Sequence, residues 1–227
     1  MSGPEENLSA SVRPYRLSDR ADLFRIAADT AFFGEPVERY MEDRRIFNDF
    51  FYAYYTDVEM AYCWIAEREG RPVGFLAGCV DTRARAGRFT RVVLPGLLFA
   101  LVRGKYHFGP LTRHYLLRWG GAVLRGEIPH ADLKVYPAHL HINVDANARG
   151  HGLGRRLINT FLHQLKELEV PGVHLETTSL NAAACRLYES FGFKLVDARR
   201  TRMWTGIIDG PVENRCYGLL LAEAHKQ

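Results

Sequence analysis

The sequence predicts an α/β fold built on a mixed sheet, and three observations support this. Residues 62–66 and 73–80 are apolar runs on either side of a Gly/Pro turn, which indicates a β-hairpin. Strand-like and helix-like segments alternate in the last third of the chain, and this order requires a right-handed crossover between parallel strands. A glycine-rich segment separates one of these strands from the helix that follows. We therefore expect a single domain over residues 12–227, after a flexible tail at residues 1–11.

The first elements predict a strand and two helices. A short strand at residues 12–17 precedes a helix that Ser18 and Asp19 would cap, and residues 34–36 would end that helix. A longer helix is expected over residues 37–55, because apolar side chains recur there at steps of three or four. Those side chains would form a core face: Tyr40, Met41, Phe47, Phe50, Phe51 and Tyr54.

Residues 82–137 have the weakest pattern. Gly, Pro and Arg are frequent, no strand is evident, and residues 91–102 and 111–125 could be helical. A bare loop of this length is uncommon in a compact domain, so we interpret the segment as a helical insertion that packs on the domain. Its apolar run at residues 92–102 is shorter than the about 20 residues that cross a bilayer. We expect a buried helix there and no membrane span.

The last third of the chain alternates most regularly. Asn181 would cap the second of its two helices, and Gly192 would end it. The end of the sheet and the segment 209–227 could supply a contact between two copies, so a homodimer is considered. The expected elements are strand 138–145, helix 153–168, strand 173–178, helix 181–190 and closing strands 193–196 and 202–208.

Composition excludes several classes of protein. With 47% hydrophobic and 25% charged residues, the chain suits a globular protein with a substantial core. Its formal charge of +4 is dispersed, whereas nucleic-acid-binding proteins usually carry a clustered basic stripe, so no specific nucleic acid is expected. Four cysteines without CxxC spacing predict free thiols, and residues 1–11 lack the apolar segment of a signal peptide. We expect a cytoplasmic protein with no metal.

The strongest candidate for a binding site is the loop at residues 149–154, R-G-H-G-L-G, which opens a helix. Glycines let the backbone turn its N–H groups toward a ligand, and a helix N-terminus favours an anion such as phosphate. Arg155 and Arg156 follow in the first turn, where cations are unfavourable unless an anion lies nearby. The dinucleotide fingerprint G-x-G-x-x-G fails because Arg155 stands at its third glycine, and the lysine of nucleoside-triphosphate loops is absent.

Two segments together resemble the signatures of the Gcn5-related N-acetyltransferase (GNAT) superfamily. Residues 144–154, V-D-A-N-A-R-G-H-G-L-G, are similar to its strand valine followed by R-G-x-G-x-G. Residues 181–193, N-A-A-A-C-R-L-Y-E-S-F-G-F, are similar to its N-x-x-A-x-x-L-Y-E-x-x-G-F segment. The resemblance covers residues 138–205. It implies a mostly antiparallel central sheet with a parallel strand pair that a bulge splays apart, and helices on both faces.

The resemblance also implies acetyl-coenzyme A (acetyl-CoA) as co-substrate. Strand residues before the loop would pair with its pantetheine arm and hold the acetyl carbonyl. Backbone N–H groups of the loop would hold the pyrophosphate, and Asn181 would contact the pantetheine. The implied binding residues are Ile142, Asn143, Val144, Arg149, Gly150, His151, Gly152, Leu153, Gly154, Arg155, Asn181 and Tyr188.

Acetyl transfer to an amine needs a base and an acid, because an amine with a pKa of about 10.4 is mostly protonated at pH 7. By resemblance, Tyr188 would protonate the departing thiolate. Glu176 matches the glutamate of the branch that acetylates protein N-termini, with a structural strand glutamate as the alternative. His139 and His141 are similar to the paired histidines of arylalkylamine acetyltransferases. They lie one residue out of register, however, which would point them away from the site unless a bulge intervenes.

The sequence therefore predicts an acetyl-CoA-dependent N-acetyltransferase that acts on a primary amine, in a small molecule or a peptide. His141 stays a candidate base beside Glu176. The alternative is a catalytically silent acyl-CoA-binding or protein-interaction module, because the insertion could cover the acceptor side. The insertion, together with the segment Y-P-A-H-L-H at residues 136–141, loosely resembles the acetyltransferase-like domain of O-GlcNAcases and its free-standing microbial relatives.

Overall fold

The computed structural model of the protein describes residues 10–221, which form a seven-stranded sheet between two helical layers. The spatial order of the strands is β1-β2-β3-β4-β5-β7-β6. The β4–β5 pair is parallel and the other pairings are antiparallel, which confirms the mixed, mostly antiparallel sheet. The strands are β1 (Ala10–Pro14), β2 (Cys63–Arg68), β3 (Arg71–Cys79), β4 (Ala138–Val144), β5 (Gly172–Thr178), β6 (Lys194–Thr201) and β7 (Val212–Leu220).

Helices cover both faces of the sheet. Since side chains alternate along a strand, Phe75 on β3 packs into a core with Tyr54, while its neighbour Leu76 packs into a second core with Phe161. The first core lies under helices α1 to α3, and the second lies under α7 and α8. The helices are α1 (Arg20–Asp29), α2 (Arg44–Phe51), α3 (Ala53–Asp57), α4 (Thr82–Arg88), α5 (Leu94–Val102), α6 (Pro110–Leu124), α7 (Leu153–Glu167) and α8 (Ala182–Ser190).

Strands β4 and β5 separate soon after they begin. They pair at only two positions, Ala138–Val173 and His139–His174. Beyond these, the β5-facing backbone of residues 140–144 has no strand partner in the described part of the chain. On its other side β4 pairs with β3 without a register shift. The splay is therefore present, and the pairing of β4 with β3 contains no bulge.

The long helix expected over residues 37–55 was also wrong. The chain there forms a short 3-10 turn (Val37–Arg39), then α2, then α3. Asp43 caps the start of α2 by accepting a hydrogen bond from the N–H of Arg45 at 2.9 Å. Tyr52, with a non-helical φ of −120°, separates α2 from α3. The apolar spacing persisted across these breaks because the successive segments pack on one core.

Both ends of the predicted domain needed correction. Strand β1 begins at Ala10, so Ala10 and Ser11 belong to the sheet and not to a tail, while residues 1–9 lie outside the described residues. The closing strand expected at 202–208 is a loop instead, and its apolar character comes from Trp204, which packs edge-on against Phe32 with ring centroids 5.6 Å apart.

The last strand, β7, bears on the homodimer prediction. It lies between β5 and β6 and pairs with both, so residues 212–220 of the segment 209–227 lie inside the sheet. Residues 222–227 lie outside the described residues. The homodimer stays a prediction.

The insertion is helical, with α4, a π-helical turn (Phe89–Val93), α5 and α6. The expectation of a buried helix at 92–102 was wrong, since Phe99 on α5 is 60% exposed and Val102 is 86% exposed. Among residues 10–221 we find no helix with the length and apolar character that crossing a membrane requires.

Candidate active site

Two depressions are lined by successive segments of β4. We call the first the loop cleft; its volume is about 380 Å³, and residues 142–144 of β4 line it together with the 149–154 loop and α8. We call the second the histidine cavity; its volume is about 290 Å³, and it is lined by residues 139–141 of β4, by β5 and by helices of the opposite face. Consecutive residues, His141 and Ile142, thus belong to different depressions.

The loop cleft owes its shape to two glycines. Gly150 and Gly152 have φ angles of +82° and +73°, a region that strains residues with a side chain. A Cβ at either position would meet no atom within 4 Å, so their requirement is conformational and not steric. Gly152 directly precedes α7, and the loop therefore presents the positive end of a 15-residue helix to the cleft. These features suit a bound phosphate.

The loop's arginines are held by neighbouring elements. Arg149 donates from Nε to the carbonyl of Val144 at 3.1 Å. Arg155 donates to Ser190 Oγ at 2.8 Å, and its guanidinium carbon lies 4.9 Å from the centre of the Phe191 ring. Both side chains line the cleft, so they add positive charge beside the helix terminus.

The structure gathers almost every binding residue implied by the sequence around this cleft. His151 differs: it is exposed, does not line the cleft, and its Nδ1–H donates to the Arg149 carbonyl at 2.9 Å. Asn181 lines the cleft while its Oδ1 accepts from the N–H of Ala184 at 3.3 Å and caps α8, as predicted. Sequence reasoning missed three further lining residues after α1, where it indicated only a helix end: Thr30, Phe33 and Gly34.

Tyr188 is one of the α8 residues that line the cleft. Its side chain is buried, and burial raises the pKa of its phenol, so the hydroxyl stays protonated at neutral pH. Burial, and to a smaller extent Tyr188, raises the pKa of the Tyr52 phenol. Tyr52 donates to Asn143 Oδ1 at 3.4 Å, and its ring centre lies 5.9 Å from that of His141. Tyr52 therefore lies beside one lining residue of each depression, Asn143 of the loop cleft and His141 of the histidine cavity.

A chain of four side chains crosses the histidine cavity, and its polarity can be worked out. Thr82 Oγ1 lies 2.7 Å from the Pro137 carbonyl, which has no hydrogen, so the threonine must donate. Its oxygen then accepts from His139 Nδ1 at 2.6 Å, which leaves His139 Nε2 to accept from the Tyr55 hydroxyl at 2.6 Å. Tyr55 in turn accepts from His141 Nε2 at 3.0 Å.

This polarity fixes the tautomer of His141: Nε2 carries the hydrogen and Nδ1 is an acceptor. Burial lowers the pKa of His141 to about 3, with smaller contributions from Arg85 and His174. Burial also holds the pKa of His139 well below its usual range and lowers that of His174. All three imidazoles are thus neutral at pH 7. No group of three or more His, Cys, Asp or Glu side chains within residues 10–221 is arranged to hold a metal ion.

Glu176 on β5 lines the same cavity. The residue reaches water at the mouth of the cavity, but protein crowds the carboxylate from most sides, and this desolvation raises its pKa to about 7. A carboxylate with such a pKa can exchange protons near neutral pH.

The two histidines that the register argument pointed away from the site share a cavity with the other candidate base. They line one cavity with Glu176, because residues 139, 141 and 143 share the face of β4 that packs toward α3, and the His139–His174 pairing puts the matching face of β5 beside it. Sequence reasoning missed the residues that distant elements bring to this cavity, for which no local motif exists: Phe50, Phe51, Tyr55, Thr82, Arg85 and Phe89.

The chain is similar to known acetyltransferases in sequence and in fold. The model of the acetyltransferase (GNAT) family matches residues 118–193. N-acetyltransferase 8B of Homo sapiens is 30% identical over 84 residues, 37% of this chain and 37% of that protein. The chain thus matches little more than a third of the length of this curated relative.

Solved structures extend the likeness to nearly the whole chain. The crystal structure of SsHAT is 30% identical and has a TM-score of 0.73, with 95% of this chain and 100% of that chain covered. The structure of yncA from Salmonella typhimurium with its cofactor acetyl-CoA is 15% identical, with a TM-score of 0.54 and 95% of each chain covered, and shows the fold alone. The chain belongs to the acetyltransferase (GNAT) family.

Proposed function

We propose that the protein transfers the acetyl group of acetyl-CoA to a primary amine, with acetyl-CoA in the loop cleft and the amine in the histidine cavity. The observation that carries this proposal is the succession of the two depressions along β4, where His141 lines one and the next residue, Ile142, lines the other. A donor and an acceptor bound on either side of this point would bring their reacting atoms together, which is a large part of catalysis in group transfer.

The residues of the loop cleft fit acetyl-CoA. N–H groups of the loop and the N-terminus of α7 suit its pyrophosphate, and Arg155 adds charge there. The unpartnered edge of β4 at residues 142–144 offers backbone groups for the amides of the pantetheine arm. When bound, acetyl-CoA supplies a thioester whose carbonyl carbon reacts with the amine.

Glu176 is the better candidate for the base. With a pKa of about 7 its carboxylate is half ionised at neutral pH and accepts the proton of the acceptor's ammonium group, directly or through water. His141, with a pKa of about 3, is too weakly basic to retain that proton, but its Nδ1 can accept a hydrogen bond from the amine.

The remaining steps use the backbone and Tyr188. The neutral amine forms a C–N bond at the carbonyl carbon, and backbone N–H groups of β4 stabilise the negative oxygen. The C–S bond then breaks, and the Tyr188 hydroxyl gives its proton to the departing thiolate. The nitrogen of the adduct still carries one proton more than an amide, and this proton returns to the Tyr188 oxygen, directly or through water. The proton held by Glu176 leaves to solvent, so the products are the N-acetylated amine, coenzyme A and one proton.

Thermal unfolding with and without acetyl-CoA tests the donor site. At 100 times its dissociation constant, acetyl-CoA should stabilise the protein by about 2.7 kcal/mol, a rise of roughly 5–10 °C for a domain of this size. Gly152→Glu should abolish the rise, because the substitution strains a φ of +73° and adds a negative charge beside the phosphates. Gly210→Glu is the matched control, at a φ of +88° in the turn before β7.

Coenzyme A release with a panel of amines completes the test. A thermal shift with release supports the proposal. A shift without release from any amine would favour the silent acyl-CoA-binding module, and no shift at millimolar acetyl-CoA would contradict the donor site itself.

A further inference from the structure

We infer that the acceptor is a primary amine that also carries an anionic group and an apolar body, and that Arg85 binds the anionic group. This inference rests on the proposed function, since it names the class of acceptor for the same site. Arg85 lies on α4 at the start of the insertion and lines the histidine cavity.

The guanidinium of Arg85 has no anionic partner among residues 10–221. Its central carbon lies 5.0 Å from the ring centre of Tyr55 and 5.2 Å from that of Tyr54, but its Nε is buried without a hydrogen-bond partner. It forms no ion pair with any residue in the described part of the chain, whereas Arg88, one turn later, pairs with Glu59 at 2.8 Å. Aromatic faces offset only part of the cost of burying a cation. An anionic ligand would complete this arrangement.

The other groups of the cavity agree with a ligand of mixed charge. Its histidines are neutral, as their hydrogen bonds and lowered pKa values indicate, so Glu176 and Arg85 are the charged residues in the lining. These two do not pair with each other, and each can therefore pair with the opposite charge of a ligand. A purely cationic amine would leave Arg85 unpaired and would add a second positive charge beside it.

The apolar body of the ligand is indicated by a third cavity. This cavity of about 230 Å³ lies under α5 and α6 and has an almost wholly apolar lining, including Leu94, Leu97 and Trp119. Phe50 and Phe51 line both this cavity and the histidine cavity, and so form the wall between them. An amine seated at Glu176 and Arg85 would lay the rest of its structure against these two rings, where apolar surface is favourable.

Calorimetric binding of three probes in the presence of coenzyme A tests the inference. L-phenylalanine has the amine, the carboxylate and the apolar ring, whereas L-phenylalaninamide and phenethylamine lack the carboxylate. We expect L-phenylalanine to bind about 10- to 100-fold more tightly than either, since it alone forms the charge-assisted hydrogen bonds to Arg85. Glycine, which lacks the ring, should bind more weakly than L-phenylalanine. Equal affinities across the probes would overturn the inference with no variant needed.

Two variants test whether Arg85 is the residue that binds the carboxylate. Arg85→Gln should erase the preference for the carboxylate, and Arg83→Gln, an exposed arginine on the same helix, should leave it unchanged. A preference that survives Arg85→Gln in a protein with an unaltered melting temperature would remove Arg85 from the role.

The inference and the proposed function can fail separately. Release of coenzyme A with the cationic amine agmatine but no binding of L-phenylalanine would overturn the inference and keep the function. Arg85-dependent binding of L-phenylalanine without release of coenzyme A from any amine would keep the anion site and contradict the function.

Discussion

The loop cleft and the histidine cavity adjoin along β4, yet they are built in opposite ways. The loop cleft consists mainly of backbone and of residues close in sequence, in segments 142–155 and 181–188. The histidine cavity consists of side chains that α2, α3, α4, β4 and β5 bring together, linked by hydrogen bonds such as Tyr55–His139 at 2.6 Å. A backbone-built site tolerates many residue types, whereas single substitutions reshape a side-chain-built cavity. Acceptor choice is therefore expected to be set in the histidine cavity.

The largest effect that would sharpen this comparison is expected from Tyr188→Phe. If Tyr188 protonates the departing thiolate, its loss should lower turnover by roughly 10²–10⁴-fold. Acetyl-CoA binding should change little, because the ring that lines the cleft remains and only the hydroxyl is removed. Turnover at saturating substrates, measured beside the thermal shift with acetyl-CoA, separates the two quantities. An unchanged rate would remove Tyr188 from the reaction.

The next effect concerns the base in the histidine cavity. Since Glu176 must be ionised to accept a proton and its pKa is raised to about 7, turnover at saturating substrates should fall about tenfold per pH unit below 7 and level off above it. Glu176→Gln should lower the plateau by roughly 10²-fold and remove this step from the profile.

His141→Gln serves as the matched comparison, because His141 lines the same cavity. We expect a loss of less than about tenfold, as for one hydrogen bond, with the step near pH 7 retained. If the pH–rate profile loses its step near pH 7 in the His141 variant and keeps it in the Glu176 variant, then His141 is the base and Glu176 is not.

The difference between the two depressions also explains how far the sequence could be interpreted. The loop at residues 149–154 and the cap at Asn181 were predicted because a positive φ favours glycine and an unpaired helix N–H favours asparagine. Such backbone requirements can be recognised from a few neighbouring residues. The β4–β5 splay and the mixed sheet followed from the resemblance that these motifs carry. Strand β7 was misplaced because Trp204 gave a loop the apolar character of a strand.

No short sequence motif predicts the histidine cavity. Tyr55 and His139 are 84 residues apart in the chain, and Arg85 belongs to an insertion whose packing no motif describes. A register counted from the loop at Arg149 did not reveal the cavity that His141 lines, because the face of a strand is set by its pairing, which here is regular along β3. Long-range packing determines both which residues line the cavity and which face of β4 His141 occupies. Neither can be derived from local patterns in a single sequence.

The smallest expected effect is on the pH dependence of stability, and it tests whether the buried histidines are neutral in the folded protein. Their folded pKa values are lowered below the unfolded value of about 6.5, so the unfolded chain takes up protons first as the pH falls. The stability that they contribute is fully present above pH 6.5 and is lost as the pH falls below it, at about 1.4 kcal/mol per pH unit for each histidine. Glu176 acts in the opposite direction, since its raised pKa lets the folded state bind a proton near pH 7.

A variant comparison isolates the histidine contribution from that of Glu176. His139→Gln removes one titrating group, so its free energy of unfolding, measured by urea titration between pH 6.5 and 5, should fall less steeply than that of the wild type, by about 1.4 kcal/mol per pH unit. His163→Gln, at a position 76% exposed on α7, should keep the wild-type slope. The carboxylates with lowered pKa values, such as Glu42 at about 2, titrate below this window and do not enter it. Equal slopes in all three proteins would mean that His139 is already protonated or accessible in the folded state, and the hydrogen-bond polarity that makes His141 Nδ1 an acceptor would then lose its support.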